Sequence, residues 1–145
     1  MKLRIIKLLI LLIFAGNLYS CKKKDEFPKA TGTIIGGYNC VYAVILVQVD
    51  EEYPIGETFN HNREGYPIHI YNGNGTYHNV IQVPQNMPFW SENKPIANQR
   101  ISFSYREFDI NNKDDESIFL GAACLAIYGT PNLPKFIITR CKLLE

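Results

Sequence analysis

Three histidines and several nearby acids are the residues whose types could hold a metal ion. His61, His69 and His78 supply nitrogen ligands of the kind that zinc accepts. Their spacing matches no metal site, because the sequence has no HExxH, no pair at short ligand spacing and no cysteine and histidine cluster. The segment Asn111 to Glu116 suggests calcium, yet it lacks the glycine and the alternating oxygen ligands of an EF-hand loop. We therefore expect surface or core histidines, a solvated turn at Asn111 to Glu116, and neither a metal nor another cofactor.

Catalytic groups have no recognisable arrangement in the sequence. No serine lies in a G-x-S-x-G elbow, and no glycine-rich phosphate cradle opens a helix. Carboxylates that could form a glycosidase pair cluster in loops, where no regular element would set their separation. The sequence therefore predicts a protein that is not an enzyme, with a small hydrolase as an alternative.

Residues 1 to 20, MKLRIIKLLILLIFAGNLYS, have the layout of a secretory signal. Lys2, Arg4 and Lys7 precede an apolar run from Leu8 to Ala15. A helix that spans a bilayer needs roughly 20 apolar residues, so this run is too short. The pattern predicts a signal peptide at 1–20 that is removed on export.

The border of this segment, Leu18-Tyr19-Ser20-Cys21, resembles the lipobox of bacterial lipoproteins. Tyr19 departs from the small residue that is usual at its position. The resemblance implies that the chain is cut before Cys21, that the Cys21 thiol carries diacylglycerol, and that the new amino group is also acylated. Several acyl chains, at about 0.8 kcal/mol per buried methylene, exceed the threshold for stable anchoring. The alternative is an ordinary signal peptide with a chance cysteine at its end.

Residues 21–30 are predicted to form a charged tether that begins at Cys21. Lys22 to Glu26 are all charged, and such linkers self-repel and extend. This run resembles the export tag of surface lipoproteins in Bacteroidota, in which a lysine and two acids direct the protein to the outer leaflet. The resemblance implies an outer-membrane protein at the cell surface, and the alternative is a solvated tether that faces the periplasm.

Composition argues for one domain and against nucleic acid as a partner. Removal of the signal leaves about 125 residues, enough for one domain, predicted over 31–145. The formal net charge is +1 for the whole chain, and outside the signal and tether acids slightly exceed bases. No basic stripe remains to follow a phosphate backbone.

Short runs of β-branched and aromatic residues between glycine, proline and asparagine predict strands. The predicted strands are Thr31–Gly37, Val41–Val49, Ile68–Tyr71, Tyr77–Val83, Arg100–Phe108, Ile118–Tyr128 and Lys135–Leu144. We expect a turn at Tyr38-Asn39 and a hairpin turn at Asn72 to Gly75. In the Arg100 strand, Ile101, Phe103 and Tyr105 should share the buried face.

Several short strands on a chain of this size favour an all-β fold, either a small closed or partly open barrel or a compact sandwich. The order of elements resembles small Bacteroidota lipoproteins with an OB-like domain, which favours the barrel. The elements that carry the resemblance are Cys40, Asn86-Met87-Pro88, Arg100–Tyr105, Cys124 and Lys135–Leu143. The insertion from Pro54 to Tyr77 departs from that pattern and leaves the strand count open.

Three cysteines remain after acylation, and in an oxidising compartment we expect one disulfide and one thiol. The family-like order implies Cys40 with Cys124, which would close a loop of about 85 residues and contribute about 4 kcal/mol. The alternative is Cys124 with Cys141, because a hairpin centred on Asn132-Leu133 would place them opposite one another. The first pairing is preferred and makes Cys141 a core thiol in the last strand.

Aromatic residues crowd the middle of the chain and suggest a binding surface. Phe89 and Trp90 are the preferred candidates for an exposed pair, because exposed aromatics commonly form ligand or partner patches. A glycan or another envelope protein is the expected partner, since OB-like folds bind oligosaccharides and oligonucleotides. The predicted function is a membrane-anchored, non-catalytic binding or assembly module. The alternatives are a purely structural envelope lipoprotein and a small envelope hydrolase.

Overall fold

The computed structural model describes residues 26–40, 42–61, 69–70, 75–92, 94–121 and 131–145, with the backbone alone at 39, 40, 42, 69, 70, 91 and 92. The strands are β1 (Lys29–Cys40), β2 (Tyr42–Val49), β3 (Glu57–His61), β4 (His69–Ile70), β5 (Gly75–Pro84), β6 (Arg100–Glu107) and β7 (Phe136–Leu143). Two short helices are described, α1 (Pro88–Glu92) and α2 (Lys113–Phe119). Neither is long and apolar enough to cross a membrane. The all-β prediction is confirmed, while the predicted signal, Cys21 and most of the tether lie outside the described residues.

The strands form one antiparallel sheet in the order β3-β5-β2-β1-β6-β7, with β4 pairing beside this path to β1. A single parallel bridge between Gln82 and Lys135 connects β5 to the residue that precedes β7. Within the described residues no continuous ladder joins β5 to β7, so the sheet is not closed. The predicted strands at Val41–Val49, Arg100–Phe108 and Lys135–Leu144 correspond closely to β2, β6 and β7.

Alternation along the strands gives the sheet a hydrophobic core on each face. In β2, Ile45 and Val47 pack on one face, and Val44 and Leu46 pack on the other. The first core contains Ala30, Ile34, Ile45, Val47, Val49, Ile81, Val83, Trp90, Ile101, Phe103, Phe136 and Ile138. The second core contains Ile35, Tyr38, Val44, Leu46, Phe59, Val80, Phe119, Leu133 and Ile137. As the sequence predicts, the side chains of β6 that face inward belong to the first core.

Asn79 holds the connection between β2 and β3. Its φ of 54° is left-handed, a conformation that asparagine tolerates better than most residues. Its Nδ2 donates to the carbonyl oxygens of Val49, Asp50 and Tyr53 at 3.0, 3.0 and 2.8 Å, and its Oδ1 accepts from the N–H of Gly56 at 2.7 Å. A Cβ at Gly56 would lie 2.3 Å from the Asn79 carbonyl carbon, so only glycine allows this approach.

The turn predicted at Tyr38-Asn39 is wrong, because β1 continues through both residues. They pair with Val44 and Ala43 of β2. Tyr38 is buried in the second core, and its hydroxyl donates to Oε1 of Gln82 at 3.1 Å. Burial against the neighbouring strands therefore outweighs the local turn preference.

The hairpin predicted around Asn72 to Gly75 does not pair its two strands in the described part of the chain. β4 pairs instead with Gly36 and Gly37 of β1. β5 pairs instead with β2 over residues 80–84 and with β3 between Gly75 and Val80. Residues 71–74 lie outside the described residues.

The solvated turn predicted at Asn111 to Glu116 is also wrong, since α2 begins there. Asn112 caps the helix, and its side chain accepts from the N–H of Asp114 at 3.0 Å, which satisfies one of the free donors of the first turn. Phe119 ends the helix and is buried, so the strand predicted from Ile118 fails at its start. Residues 122–128 of that predicted strand lie outside the described residues.

Asp115 joins α2 to the sheet through an ion pair with Arg106, whose side chain is 36% exposed. Its carboxylate is 1% exposed and accepts two bonds of 2.5 Å from the Arg106 guanidinium. It also accepts from the N–H of Asp109 at 3.0 Å and from Asn112 at 3.2 Å. The bonds from Arg106 are the main reason that the pKa of Asp115 lies below its usual value.

We predict that this pair makes folding stability depend on acid pH. A carboxyl whose folded pKa is lowered stabilises the fold above its unfolded pKa, near 3.8, and this contribution is lost as the pH falls through the folded pKa. Asp115→Asn should lower the free energy of unfolding by about 2 kcal/mol at pH 7. The difference in the free energy of unfolding between this variant and the unmodified protein should shrink below about pH 3.8. Urea titrations at several pH values measure this, and Asp114→Asn on the exposed side of α2 is the control. A deficit that is independent of pH would contradict the assignment.

Candidate functional site

A groove lies beside α1 in the described part of the chain. Its volume is about 760 Å³, within the usual range of ligand pockets. Its lining residues come from one continuous region between β5 and β6, and they are Gln85, Asn86, Met87, Pro88, Trp90, Lys94 and Pro95. The groove therefore forms where the chain leaves β5 and folds over the end of the sheet.

The backbone of this region is held by a few hydrogen bonds. The N–H of Gln85 donates to the carbonyl of Ala43 at 2.8 Å, which continues the β2 and β5 pairing past the end of β5. Pro88 opens α1, a position that suits proline because the first N–H groups of a helix have no partner within it. The N–H of Trp90 then bonds the carbonyl of Met87 at 2.9 Å.

Trp90 is not the exposed aromatic that the sequence suggests. It is 5% exposed, belongs to the first core, and donates its indole Nε1–H to the carbonyl of Pro84 at 3.1 Å. Phe89 meets it edge to face at 4.7 Å between ring centroids and is itself partly buried. The expectation of an exposed pair is therefore wrong: Trp90 anchors α1 to the core, and it contributes only to one wall of the groove.

Accessible amides and one cation supply the polar chemistry of the groove. Asn86 and Lys94 are exposed and Gln85 is partly exposed. Asn86 uses Nδ2 to donate to the carbonyl of Leu120 at 2.7 Å, which connects this wall to the end of α2. Among the described lining residues, Lys94 is the one charged side chain. The groove can offer hydrogen bonds to a polar ligand, and none of its described lining residues carries a carboxylate.

Two large apolar side chains lie exposed beside the groove. Ile96 directly follows the lining residue Pro95 and is 60% exposed. Leu120, whose carbonyl is bonded to Asn86, is 49% exposed. Together with Met87 they extend the apolar surface that a ligand would cover.

A second cavity lies between β3 and the segment that precedes β7. Phe59, Asn60, His61 and Pro131 line it, and its volume is about 180 Å³. The rings of Phe59 and His61 stack at 5.9 Å, and both residues are buried. This volume is below the range of about 300 to 1,000 Å³ that is usual for ligand pockets, so the α1 groove is the better candidate.

The two histidines with described side chains, His61 and His78, lie on different strands. His61 is buried on β3, whereas His78 is on β5 with its Nδ1 at 3.2 Å from the Thr58 hydroxyl. The side chain of His69 lies outside the described residues. In the described part of the chain no group of three or more histidine, cysteine or acidic residues is placed to hold a metal.

The acids after β2 include one that forms an ion pair across the sheet. Asp50 accepts two bonds from the Arg100 guanidinium, at 2.6 and 2.8 Å, and another from the Thr31 hydroxyl. The Arg100 bonds are the largest cause of the lowered pKa of Asp50. A carboxylate held ionised in this way ties β1, β6 and the end of β2 together and is a poor proton donor.

Cys141 is the one cysteine whose side chain is among the described residues. Cys141 is a half-buried free thiol that packs against the first core. Cys124 and the side chain of Cys40 lie outside the described residues, so the preferred Cys40 and Cys124 pairing stays a prediction, while the free thiol of Cys141 gives no support to the alternative pairing with Cys124. β7 pairs with β6, where Cys141 is opposite Phe103, and the other arm of the predicted hairpin, which contains Cys124, lies outside the described residues.

Two comparisons with known proteins give no match for this chain. No family model matches it, and a search of curated proteins returns no significant relative. The candidate site therefore stands on its geometry. Sequence reasoning found Trp90 but missed Gln85, Lys94 and Pro95. These residue types do not by themselves indicate a binding site, because the groove is formed only by the way that α1 packs against the sheet.

We predict that Cys141 is unreactive in the folded protein. Burial raises the pKa of its thiol to about 12, so about one molecule in 10⁴ carries the thiolate at pH 8. Iodoacetamide at pH 8 should leave Cys141 unmodified in the native state and modify it in denaturant, as read by peptide mass mapping. Thr139→Cys, at an exposed position on the same strand, should react at least about 100-fold faster and is the control. Rapid native modification of Cys141 would contradict the burial.

Proposed function

We propose that this protein is a membrane-anchored lipoprotein of the bacterial cell envelope that acts as a non-catalytic binding or assembly module. Acyl chains on Cys21 would hold it to the outer membrane, with the domain at the cell surface. The α1 groove would bind the partner, either a glycan or a segment of another envelope protein. The observation that carries the binding proposal is the groove of about 760 Å³ with amides, Lys94 and apolar side chains along its walls.

We further propose that the sheet is a partly open OB-like barrel. Five strands follow the order β5-β2-β1-β6-β7, and the Gln82 and Lys135 bridge brings β7 back towards β5. The bridge is parallel while the ladders are antiparallel. The first core would then fill the barrel, and Trp90 on α1 would cover one of its ends.

The covered outer face of β2 and β5 is the reason to favour the groove over the sheet as the binding surface. OB-folds commonly bind oligosaccharides on the face of their second and third strands. Here that face carries the second core, with Phe119 of α2 and Leu133 packed over Val44, Leu46 and Val80. A ligand cannot reach it without removing α2.

The groove itself suits a ligand with hydroxyl or amide groups. Gln85 and Asn86 offer amide atoms that can donate or accept, and Lys94 donates only. Met87 and Pro95 supply apolar contact between these polar groups. Such alternation of hydrogen-bonding and apolar surface fits a sugar ring or an extended peptide.

Mass spectrometry of the protein purified from its own membranes tests the anchor. We expect a chain that starts at Cys21 and carries the mass of a diacylglycerol and a third acyl chain. Cys21→Ser should abolish both the added mass and the partitioning into detergent. Surface proteolysis of intact cells then separates the outward orientation from the periplasm-facing alternative. A chain that keeps Met1, or that begins at Lys22, would contradict the anchor.

Binding by a double variant tests the groove. Gln85→Ala with Lys94→Ala removes two polar contacts, which should weaken binding on a glycan array or to solubilised envelope proteins at least about tenfold. Trp90→Ala is unsuitable because it would destabilise the core. Gln48→Ala with Lys113→Ala removes the same residue types elsewhere and should leave binding unchanged. Equal binding by both double variants, with equal melting temperatures, would contradict the groove. An absence of any ligand for the unmodified protein would favour a purely structural lipoprotein.

A further inference from the structure

Three basic side chains are neighbours on one face of the sheet where the chain enters the domain. Lys29 on β1 is opposite Ser104 on β6, and Ser104 is opposite Arg140 on β7. Lys142 is two residues further along β7, opposite Ser102. Register partners share a face, and so do residues two apart in a strand. We name Lys29, Arg140 and Lys142 the basic face.

The side chains of the basic face point away from the first core. Ala30, next to Lys29, is buried in that core, and Cys141 and Leu143 on β7 pack against it. Alternation therefore sends Lys29, Arg140 and Lys142 to the opposite side. All three are exposed.

Two of these three cations have no ion-pair partner among the described residues. Oε1 of Glu26 lies 3.6 Å from Nζ of Lys29, and both side chains are largely exposed. Asp50 is already engaged by Arg100. In the described part of the chain, no carboxylate forms an ion pair with Arg140 or Lys142. The exposed acids Glu51 and Glu52 follow β2, on the other side of β1 from β7.

The position of the basic face relative to Cys21 brings it close to the bilayer. Residues 21 to 29 reach at most about 29 Å when fully extended, while a domain of this size is roughly 35 Å across. The carbonyl of Pro28 accepts from the N–H of Tyr105 at 3.0 Å, so the chain is fixed to β6 before β1 begins. Phe27, 41% exposed, lies between the anchor and the basic face and can enter the headgroup region.

We propose that the basic face lies against anionic lipid headgroups of the membrane that holds the chain. This inference rests on the proposed lipid anchor at Cys21 and adds an orientation to it. Each basic side chain near an anionic surface contributes about a fivefold preference, so three give about 100-fold. In this orientation β7 faces the bilayer, and the domain does not rotate freely about its tether.

Amine labelling of the acylated protein in vesicles tests the orientation. The protein purified from its membranes is reconstituted into phosphatidylcholine vesicles and into vesicles that also contain phosphatidylglycerol. Lys29 and Lys142 should be labelled at least about fivefold more slowly on the anionic vesicles. Lys94 and Lys113, exposed elsewhere, should be labelled equally on both. About 1 M salt, where the Debye length is about 3 Å, should remove the difference.

A matched pair of variants assigns the effect to the basic face. Arg140→Gln with Lys142→Gln should return the labelling of Lys29 on anionic vesicles to within about twofold of its rate on phosphatidylcholine. Lys94→Gln with Lys113→Gln removes the same net charge and should leave the protection in place. Equal labelling on both vesicle types, or equal protection of all four lysines, would overturn the orientation.

Flotation with phosphatidylcholine vesicles distinguishes this failure from failure of the anchor. An acylated chain floats with the neutral vesicles whether or not its basic face touches lipid. A chain left behind by them has no anchor, and this result would overturn the orientation together with the anchor.

Discussion

The buried amide of Gln82 decides where the last strand of the sheet begins. Gln82 is 1% exposed in the middle of β5. Its N–H donates to the carbonyl of Pro134, its Nε2 donates to the carbonyl of Pro131, and its Oε1 accepts from the hydroxyl of Tyr38. A buried amide left without these bonds would cost about 1 to 3 kcal/mol for each missing partner. Because β7 follows directly, these bonds set the place from which it runs back along β6 and covers the first core.

With β7 held in this way, the sheet can bury apolar residues on both faces. Antiparallel sheets commonly leave one face to solvent, but here α2 and Leu133 cover the second. The ion pair of Arg106 and Asp115 keeps α2 over that face. The covering has a functional consequence, since it removes the broad surface of β2 and β5 from any ligand. Among the described residues, the α1 groove stays accessible where α1 packs against the first core.

The groove and the basic face lie on different elements, which allows the two proposed contacts to be made together. The groove is formed by the connection between β5 and β6, and the basic face by β1 and β7. Lys94 belongs to the groove, whereas Arg140 and Lys142 belong to the surface near the tether. A domain oriented by its basic face would therefore hold one surface to lipid and keep another for a partner.

Local pattern was enough to predict the strands whose side chains alternate clearly. Ile101 and Phe103 on β6 are buried on one face as their spacing indicates, and β2 and β7 are close to their predicted ranges. The pattern failed at Asn111 to Glu116, where the acids suggested a solvated turn. The neutralising partner of Asp115 is Arg106, on another element, and no local rule reveals it. Trp90 was predicted to bind from its residue type, but its burial depends on the fold around it.

The sequence by itself determined the all-β class and the principal strands, because alternation of apolar and polar residues acts over short stretches. The membrane location of the chain stays a prediction from its signal pattern. Only the tertiary structure decided that Trp90 is a core residue, that α2 covers the second face and that Lys29, Arg140 and Lys142 are neighbours. Each of these depends on which strands pair and in which register. Strand pairing is set by contacts between residues far apart in the chain, such as Gln82 with Pro131. Such contacts cannot be predicted from the pattern of any single segment.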